Sequence, residues 1–335
     1  MAILAMASAA AAGGLTDIAG IRVGHAVDAR RPTGVTVVLI DGGAVAGVDV
    51  RGSAPGTRET DLLAPTNLVE RIHALVLAGG SAFGLDAAGG VMRYLDEKGI
   101  GHPTAVGPVP IVPAAIIFDL GVGDPKIRPD AALGYRAAQS ASADPVAVGS
   151  VGAGAGATVG KLLGFDRATR GGLGSASRRL ADGRRVAALA VVNAVGNVVD
   201  PDSGAIVAGA RAGSGWADLE RALVEADRAP LPVPFNTTLV VVATDAALTK
   251  AQATKLAQMA HDGLARAVRP AHTMYDGDLV FALATGARSE PVELTVLGAL
   301  AANAVAEAIV RGCRLASSLP GIPAASEVTA SQSQE

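Results

Sequence analysis

The sequence predicts a layered fold of the α/β or α+β class, in which long helices cover β-sheets. Three observations support this prediction. First, 50% of the 335 residues are hydrophobic, which is enough for a large core. Second, short apolar runs typical of strands alternate with longer segments of helical periodicity. Third, 42 glycines and only 3% aromatic residues indicate layers built from small aliphatic side chains with close backbone approaches.

The first half of the chain predicts strands, glycine turns and two helices. GIRVGH and GVTVVLIDGGAVAGVDV indicate short strands joined by glycine turns. Residues 74–99 predict a strand, a glycine turn and a helix. A proline-rich loop follows, then the short strand AAIIFDL and an Ala-rich helix over 130–142.

The second half begins with a segment, 150–177, that is too rich in glycine to be helical throughout. The further predictions, in chain order, are a strand or hairpin over 184–204, a short helix and a proline-rich linker over 212–235, a buried strand from Leu239, a helix over 249–268, a strand over 277–286 and an apolar helix over 292–312.

Both ends of the sequence differ in composition from the rest. Residues 1–13 resemble a secretory signal superficially but lack its basic region, so they predict a disordered or weakly helical extension. Residues 317–335 are rich in Ser, Pro and Ala and predict a disordered tail. A cytoplasmic protein is expected.

Charge and cysteine content narrow the possible functions. The net charge of −3 and the absence of a basic stripe argue against nucleic acid as a partner. The single cysteine, Cys313, predicts a buried structural thiol. The apolar stretch 294–310 is interrupted by polar residues, so a core helix is predicted rather than a membrane span.

The usual catalytic motifs are incomplete. GAGATVGK, residues 154–161, has five residues between its outer glycines where a phosphate-binding loop needs four, and no Ser or Thr follows Lys161. GGSAFG around Ser81 has Phe83 where a nucleophile elbow needs glycine. The five histidines lack metal-ligand spacing. Neither a metal nor a cofactor is expected.

The stretch PVPFNTTLVVVATDA, residues 233–247, offers another kind of nucleophile. A threonine hydroxyl needs an adjacent base, and cleavage of the chain before the threonine supplies one in the freed α-amine, whose pKa is about 7.7–8.0. A proline-punctuated loop precedes Thr237 and a rigid strand follows it, as such cleavage requires. Threonine is common at the start of a strand, so these residues alone favour a structural role for Thr237 and Thr238 as the first polar residues of a strand.

Several motifs in a fixed order resemble the self-cleaving N-terminal-nucleophile amide hydrolases. These are LTDIAGIRVGH, VRGSAPGTRETDLL, LAGGSAFGLDAAGGVMRYL, NTTLVVVATDA and HTMYDGDLVFALATG, which together run through nearly the whole chain. The family contains the DmpA-type aminopeptidases, the β-peptidyl aminopeptidases and the nylon-oligomer (6-aminohexanoate oligomer) endo-hydrolases. The Asn-Thr-Thr sequence before a Val-rich strand is most similar to the nylon-oligomer hydrolases.

The resemblance implies a fold and a maturation step. It implies an α+β four-layer αββα sandwich, shared with ornithine acetyltransferase, in a single domain. Cleavage between Asn236 and Thr237 would give a larger chain, 14–236 after the extension, and a smaller chain, 237–316, before the tail. The resemblance also implies a tetramer of cleaved protomers.

It implies a set of site residues as well. Thr237 would be the nucleophile, and Asp276 and Asp278 would position its hydroxyl and amine. Their i, i+2 spacing places both on one side of an extended segment, although a D-G-D turn is the alternative. Lys161 would lower the pKa of the amine or stabilise the oxyanion, and Asn193 would donate to the oxyanion. Without the resemblance, Lys161 could lie on the surface and Asn193 could simply end a strand.

The sequence departs from the family at one position. Phe118 in AIIFDL stands where the nylon-oligomer hydrolases have tyrosine, which removes a hydroxyl from the expected substrate pocket.

The predicted function is hydrolysis of amide bonds in small peptides, amino-acid amides or 6-aminohexanoate oligomers. Two alternatives stay open: an acyltransferase of the ornithine acetyltransferase type, and an uncut, non-catalytic scaffold that binds a small molecule. Self-cleavage separates the scaffold from the two enzymes.

Overall fold

The computed structural model describes residues 13–225 and 236–332. Within these ranges the strands are β1 (Ile21–Val27), β2 (Gly34–Val50), β3 (Thr57–Arg58), β4 (Arg71–Ala78), β5 (His102–Thr104), β6 (Gly107–Val109), β7 (Ala114–Ile116), β8 (Thr158–Val159), β9 (Thr169–Arg170), β10 (Gly172–Arg179), β11 (Arg185–Asn193), β12 (Asn197–Val199), β13 (Ile206–Ala208), β14 (Arg211–Ala212), β15 (Gly215–Trp216), β16 (Thr237–Ala246), β17 (Val268–Arg269) and β18 (Leu279–Arg288). The helices are α1 (Ala87–Asp96), α2 (Ala131–Gln139), α3 (Leu219–Glu225), α4 (Lys250–Ala267), α5 (Leu294–Arg314) and α6 (Ala325–Gln332).

One long strand connects the two halves of the main sheet. Among the described residues this sheet runs in the order β10-β11-β16-β18-β2-β4-β7-β3, and β1 also pairs with β2. The part of β2 from 35 to 39 pairs with β4, and the part from 44 onward pairs with β4 through Ala44 and Val45 and with β18 through residues 45–50. Between them Gly42 and Gly43 both have positive φ, 73° and 72°, which glycine adopts without steric cost. The strand therefore bends there and passes from one sheet layer into the other.

Apolar side chains fill three spaces between four layers. One core cluster lies between α4 and α5 and the layer β10, β11, β16 and β18. A second lies between that layer and the layer of β1, β2 and β4. A third lies between the latter layer and α1 and α2. The predicted α+β four-layer αββα sandwich is confirmed.

The alternation along β16 shows why its residues 239–243 are all apolar. Leu239, Val241 and Ala243 face the core between the sheets, whereas Val240 and Val242 face the helices. Both faces of a strand in an inner layer are buried, so the strand reads as a continuous apolar run. β16 is thus a rigid central strand, paired antiparallel with β11 and parallel with β18.

Two predictions from the sequence are wrong in detail. Residues 34–50 form one bent strand, not separate strands, because the glycines bend the strand without ending it. The predicted disordered tail is ordered from 317 as far as the structure describes it. Ile322 and Ala324 are buried, the Pro323 carbonyl accepts a hydrogen bond from the Arg170 N–H at 3.0 Å, and α6 follows. The predicted N-terminal extension lies outside the described residues except for Gly13.

Helix α5 is the one described helix whose length and composition would allow it to span a membrane. In the fold it packs on β10, β11 and α4, and 56% of its most apolar window is buried. Cys313, near its end, is fully buried. These contacts confirm the predicted core helix and buried thiol.

Candidate active site

Thr237 is the first residue of β16. The Cα of Thr237 lies opposite the Cα of Asn193, the last residue of β11. Thr237 is only 2% exposed. Asn236, directly before it, is also buried. The peptide bond between Asn236 and Thr237 therefore lies inside the protein, directly before the first residue of a rigid strand.

The carbonyl of Asn236 accepts two hydrogen bonds. The backbone N–H of Gly277 donates to it at 2.8 Å, and the hydroxyl of Thr237 also donates to it. Asn236 is fixed from its other side, because its N–H donates to the Tyr275 carbonyl at 2.9 Å. The Thr237 hydroxyl thus lies against a carbonyl polarised by a backbone donor, as an oxyanion site requires.

Glycine is needed at position 277 for this approach. A Cβ there would lie 2.7 Å from Oγ1 of Thr237 and 2.6 Å from the carbonyl oxygen of Ala54. Contacts this short are not tolerated between real atoms. The glycine of the D-G-D motif thus lets the backbone N–H reach the Asn236 carbonyl.

Asp278 is buried and connects three segments. Its Oδ1 accepts the Thr238 N–H at 2.6 Å. Its Oδ2 accepts the backbone N–H of His272 and lies 3.0 Å from the ring Nδ1 of the same residue. The carboxylate therefore fixes the start of β16 directly after Thr237.

Asp276 is equally buried but has different partners. Its Oδ2 accepts the Thr273 hydroxyl at 2.6 Å and the Thr273 N–H at 3.1 Å, and its Oδ1 faces the Val195 N–H at 3.4 Å. Burial, together with the charge of Asp278, raises the pKa of Asp276 to about 6, against the effect of the Thr273 hydrogen bonds. Asp276 is the group here whose protonation changes in mildly acidic solution.

Lys161 is only 1% exposed. The alternative prediction that it lies on the surface is therefore wrong. Its Nζ donates to the side-chain Oδ1 of Asn193 at 2.9 Å and to the Asn193 carbonyl at 3.2 Å. Burial lowers the pKa of Lys161 to about 7, although the charges of Asp276 and Asp119 oppose this. Lys161 is therefore poised between charged and neutral near neutral pH.

Asn193 is held from several directions. Its Oδ1 accepts the Thr158 N–H at 3.0 Å as well as Lys161, and its Nδ2 donates to the Phe118 carbonyl at 3.0 Å. Phe118 thus contacts Asn193 through its backbone carbonyl, a contact that does not depend on the side chain at position 118. The structure brings together all the residues predicted for the site.

Three participants are not evident from the sequence alone. The Gly277 N–H acts through the backbone, for which sequence patterns carry little signal. Asp119 forms a buried ion pair with Arg31 at 2.7 Å and influences the pKa of Lys161 from a distance. His272 is part of the motif HTMYDGD, which could have directed attention to it.

Within 13–225 and 236–332, no group of His, Cys, Asp and Glu side chains is suited to hold a metal ion.

Solved structures define the class of this fold. The β-aminopeptidase of a Burkholderia species superposes with a TM-score of 0.70 at 24% identity, covering 96% of this chain and 95% of that chain. The L-aminopeptidase D-Ala-esterase/amidase of Ochrobactrum anthropi, described as a variant of the N-terminal-nucleophile hydrolase fold, gives 0.71 at 20% identity with the same coverage. The protein has that fold.

The family follows from the sequence match. Residues 13–326 match the model of peptidase family S58, and the chain belongs to this family. An uncharacterized aminopeptidase of Mycobacterium tuberculosis is 48% identical over 337 residues, which cover 92% of this chain and 96% of the relative. The 6-aminohexanoate-oligomer endohydrolase of a Kocuria species is 31% identical over 89% of this chain and 85% of the relative. The predicted resemblance is confirmed, and the protein is a hydrolase of peptide or amide bonds.

Proposed function

We propose that the protein cleaves itself between Asn236 and Thr237, and that Thr237 then serves as the nucleophile of an amide hydrolase. One observation carries the proposal: the Thr237 hydroxyl lies against the Asn236 carbonyl, which the Gly277 N–H polarises at 2.8 Å. Attacking group, target and oxyanion donor thus already stand together in the uncut chain.

Self-cleavage proceeds in two steps. Oγ1 of Thr237 attacks the carbonyl carbon of Asn236, the C–N bond breaks, and the hydroxyl proton passes to the departing nitrogen. The Gly277 N–H stabilises the negative oxygen of the tetrahedral intermediate. Water then hydrolyses the resulting ester, which leaves a carboxylate on Asn236 and a free hydroxyl and amine on Thr237.

Substrate hydrolysis repeats this chemistry with the new amine as the base. The neutral amine accepts the proton of the hydroxyl as Oγ1 attacks the substrate carbonyl, and it returns the proton to the leaving amine. Water hydrolyses the acyl-enzyme ester and regenerates Thr237. Asp278 positions the start of β16, and a positively charged Lys161 or the Asn193 amide stabilises the oxyanion.

The proposed substrates are small peptides, amino-acid amides or 6-aminohexanoate oligomers. The names of the relatives from Mycobacterium and Kocuria support aminopeptidase and oligomer hydrolase activities respectively. We further propose a cytoplasmic tetramer of cleaved protomers that needs no cofactor. An acyltransferase would instead pass the acyl group from Thr237 to an amine.

Two neighbouring threonines allow a matched test of the nucleophile. Valine has nearly the shape of threonine but lacks the hydroxyl. Thr237→Val should stay full-length on a denaturing gel, whereas Thr238→Val should still be cut, because the Thr238 hydroxyl is buried without a hydrogen-bond partner among the described residues. N-terminal sequencing of the smaller fragment should show that it begins at Thr237.

Activity measurements complete this test. The cut protein is assayed with dipeptide amides and with 6-aminohexanoate oligomers, and product release in water separates hydrolysis from acyl transfer to an added amine. A wild-type chain that stays full-length after prolonged incubation, or a Thr237→Val chain that is cut at the same bond, would overturn the proposal.

A further inference from the structure

His272 adjoins the acidic pair but takes no part in the steps above. Its backbone N–H donates to Oδ2 of Asp278 at 3.0 Å, and its ring Nδ1 lies 3.0 Å from the same oxygen. The other oxygen of Asp278 accepts the Thr238 N–H at 2.6 Å. Among the residues that the structure describes, two of the three hydrogen-bond contacts of this buried carboxylate therefore come from His272.

The backbone of His272 is in the left-handed region, with a φ of 56°. Residues with a Cβ adopt this conformation at an energetic cost, and they keep it where surrounding contacts hold them there. In His272 those contacts are the two hydrogen bonds to Asp278. The unfavourable backbone conformation allows the N–H and the ring of one residue to reach the same oxygen.

The ring of His272 is packed so that Nδ1 carries the proton. Its Nε2 is buried without a hydrogen-bond partner among the described residues. A proton on that nitrogen would be an unsatisfied buried donor, whereas a proton on Nδ1 is donated to a carboxylate. His261 of α4 packs against the ring, with centroids 4.8 Å apart, and burial lowers the pKa of His261 to about 4, so it is neutral at neutral pH.

We infer that His272 is a positioning residue for Asp278, and that its Nδ1–H holds the carboxylate in the orientation that fixes the start of β16 beside Thr237. The inference rests on the proposed function, because Asp278 serves the nucleophile there. His272 acts through Asp278 and does not touch the reacting atoms itself.

The charged surroundings show why this hydrogen bond matters. Asp276 and Asp278 are both 1% exposed and lie two residues apart, and the charge of Asp278 contributes to the raised pKa of Asp276. A buried carboxylate needs hydrogen-bond donors to replace the water it has lost, and the ring Nδ1–H of His272 is one of them. The other titratable groups around this pair and the histidine rings are Lys161, His261, Asp49 and Arg51.

Two substitutions of His272 distinguish the effect of the ring N–H donor from the effect of the backbone conformation. Asparagine tolerates a left-handed conformation and can place an amide N–H near the position of Nδ1, whereas glycine tolerates the conformation but has no side-chain donor. Both variants tolerate the left-handed backbone, so a difference in cleavage rate between His272→Asn and His272→Gly reports on the side-chain donor and not on backbone strain. His102→Asn, at a histidine of the β5–β6 hairpin, is the control for a histidine substitution elsewhere.

The measurement is the rate of self-cleavage of the full chain, which needs no substrate. Chains are made by cell-free synthesis, and samples are taken over time and at several pH values for denaturing gels. We expect His272→Gly to cleave roughly 10–100-fold more slowly, as for the loss of a hydrogen bond to a charged group. His272→Asn and His102→Asn should stay within about threefold of wild type.

The outcomes distinguish this inference from the proposed function. Thermal unfolding first shows that each variant is folded at the assay temperature. If His272→Gly and His272→Asn cleave at the same rate, whether both fast or both slow, the positioning role is wrong. The proposed function still stands in that case, provided that the Thr237→Val chain stays uncut. If Thr237→Val is cut, both fall.

Discussion

At the scale of single residues, the site is a set of charges and polar groups held away from water. Burial favours the protonated form of Asp276 and the neutral form of Lys161, and the charge of Asp276 opposes the lowering of the Lys161 pKa. Such groups are costly to the fold, and burying a charge without full compensation is typical of functional sites. We therefore expect the site to lower the stability of the protein at neutral pH.

Asp276→Asn tests this cost. The raised pKa means that folded Asp276 keeps its proton between about pH 4 and 6, where the unfolded chain has lost it, so its contribution to stability falls as the pH rises through this window. Asparagine carries no charge and can still accept from Thr273. The variant should be more stable than its parent by about 1–2 kcal/mol at pH 7.5 and nearly equal at pH 4.

This comparison is best made in the Thr237→Val background, so that both chains stay uncut. Urea unfolding at the two pH values supplies the free energies. A difference that does not change with pH, or a variant that is less stable at pH 7.5, would contradict the assignment of the raised pKa.

At the scale of elements, glycines allow helices α4 and α5 to pack closely. A Cβ at Gly263 of α4 would lie 2.0 Å from the carbonyl oxygen of Ala302 in α5. A Cβ at Gly298 of α5 would instead meet the side chain of Met259, whose closest atom lies 2.3 Å away and which can change rotamer. The two positions thus differ in whether backbone or side chain is in the way.

Gly263→Ala and Gly298→Ala should therefore have unequal effects. Alanine favours a helix over glycine by about 0.8–1 kcal/mol at either position. At Gly263 the helices must move apart, so we expect a net loss of about 1–2 kcal/mol, whereas Gly298→Ala should change stability by less than about 1 kcal/mol. Urea unfolding of both variants checks this, and equal losses would show that the Met259 side chain is as rigid as the backbone.

At the scale of the whole molecule, the proposed cut does not separate two domains. β16 and β18, which follow the cut, lie side by side between β11 and β2, which precede it, so one sheet contains strands from both fragments. Each of the two largest core clusters contains residues from before and after position 237. Separation of the fragments would expose both cores to water.

We therefore expect the cut protein to elute from a sizing column as one species that contains both fragments in equal amounts. The fragments should separate only in denaturant. The elution volume also tests the proposed tetramer against a monomer. Elution of the fragments as two native species would contradict the shared core.

Much of this molecule could be predicted from its sequence, and the reasons are local. The apolar run from Leu239 predicts a strand because both faces of β16 are buried. The family is predicted by an ordered series of motifs that runs through nearly the whole chain, and the role of Thr237 stays a prediction from that resemblance. The sequence predicts a turn at Gly42 and Gly43, where the structure has a bend within β2, because two glycines are compatible with a turn and with a bend. The contact of Lys161 with Asn193 depends on segments 32 residues apart, which only the folded chain brings together.

The position of Gly277 has a consequence for when the protein matures. The donor to the Asn236 carbonyl and the carboxylate of Asp278 both come from a segment some 40 residues further along the chain. A nascent chain that has only just left the ribosome with Thr237 lacks both groups. Under the proposed function, the cut is therefore made only after β16 and β18 have paired. The fraction of broken chains then serves as a permanent, covalent count of the molecules that have reached the native state.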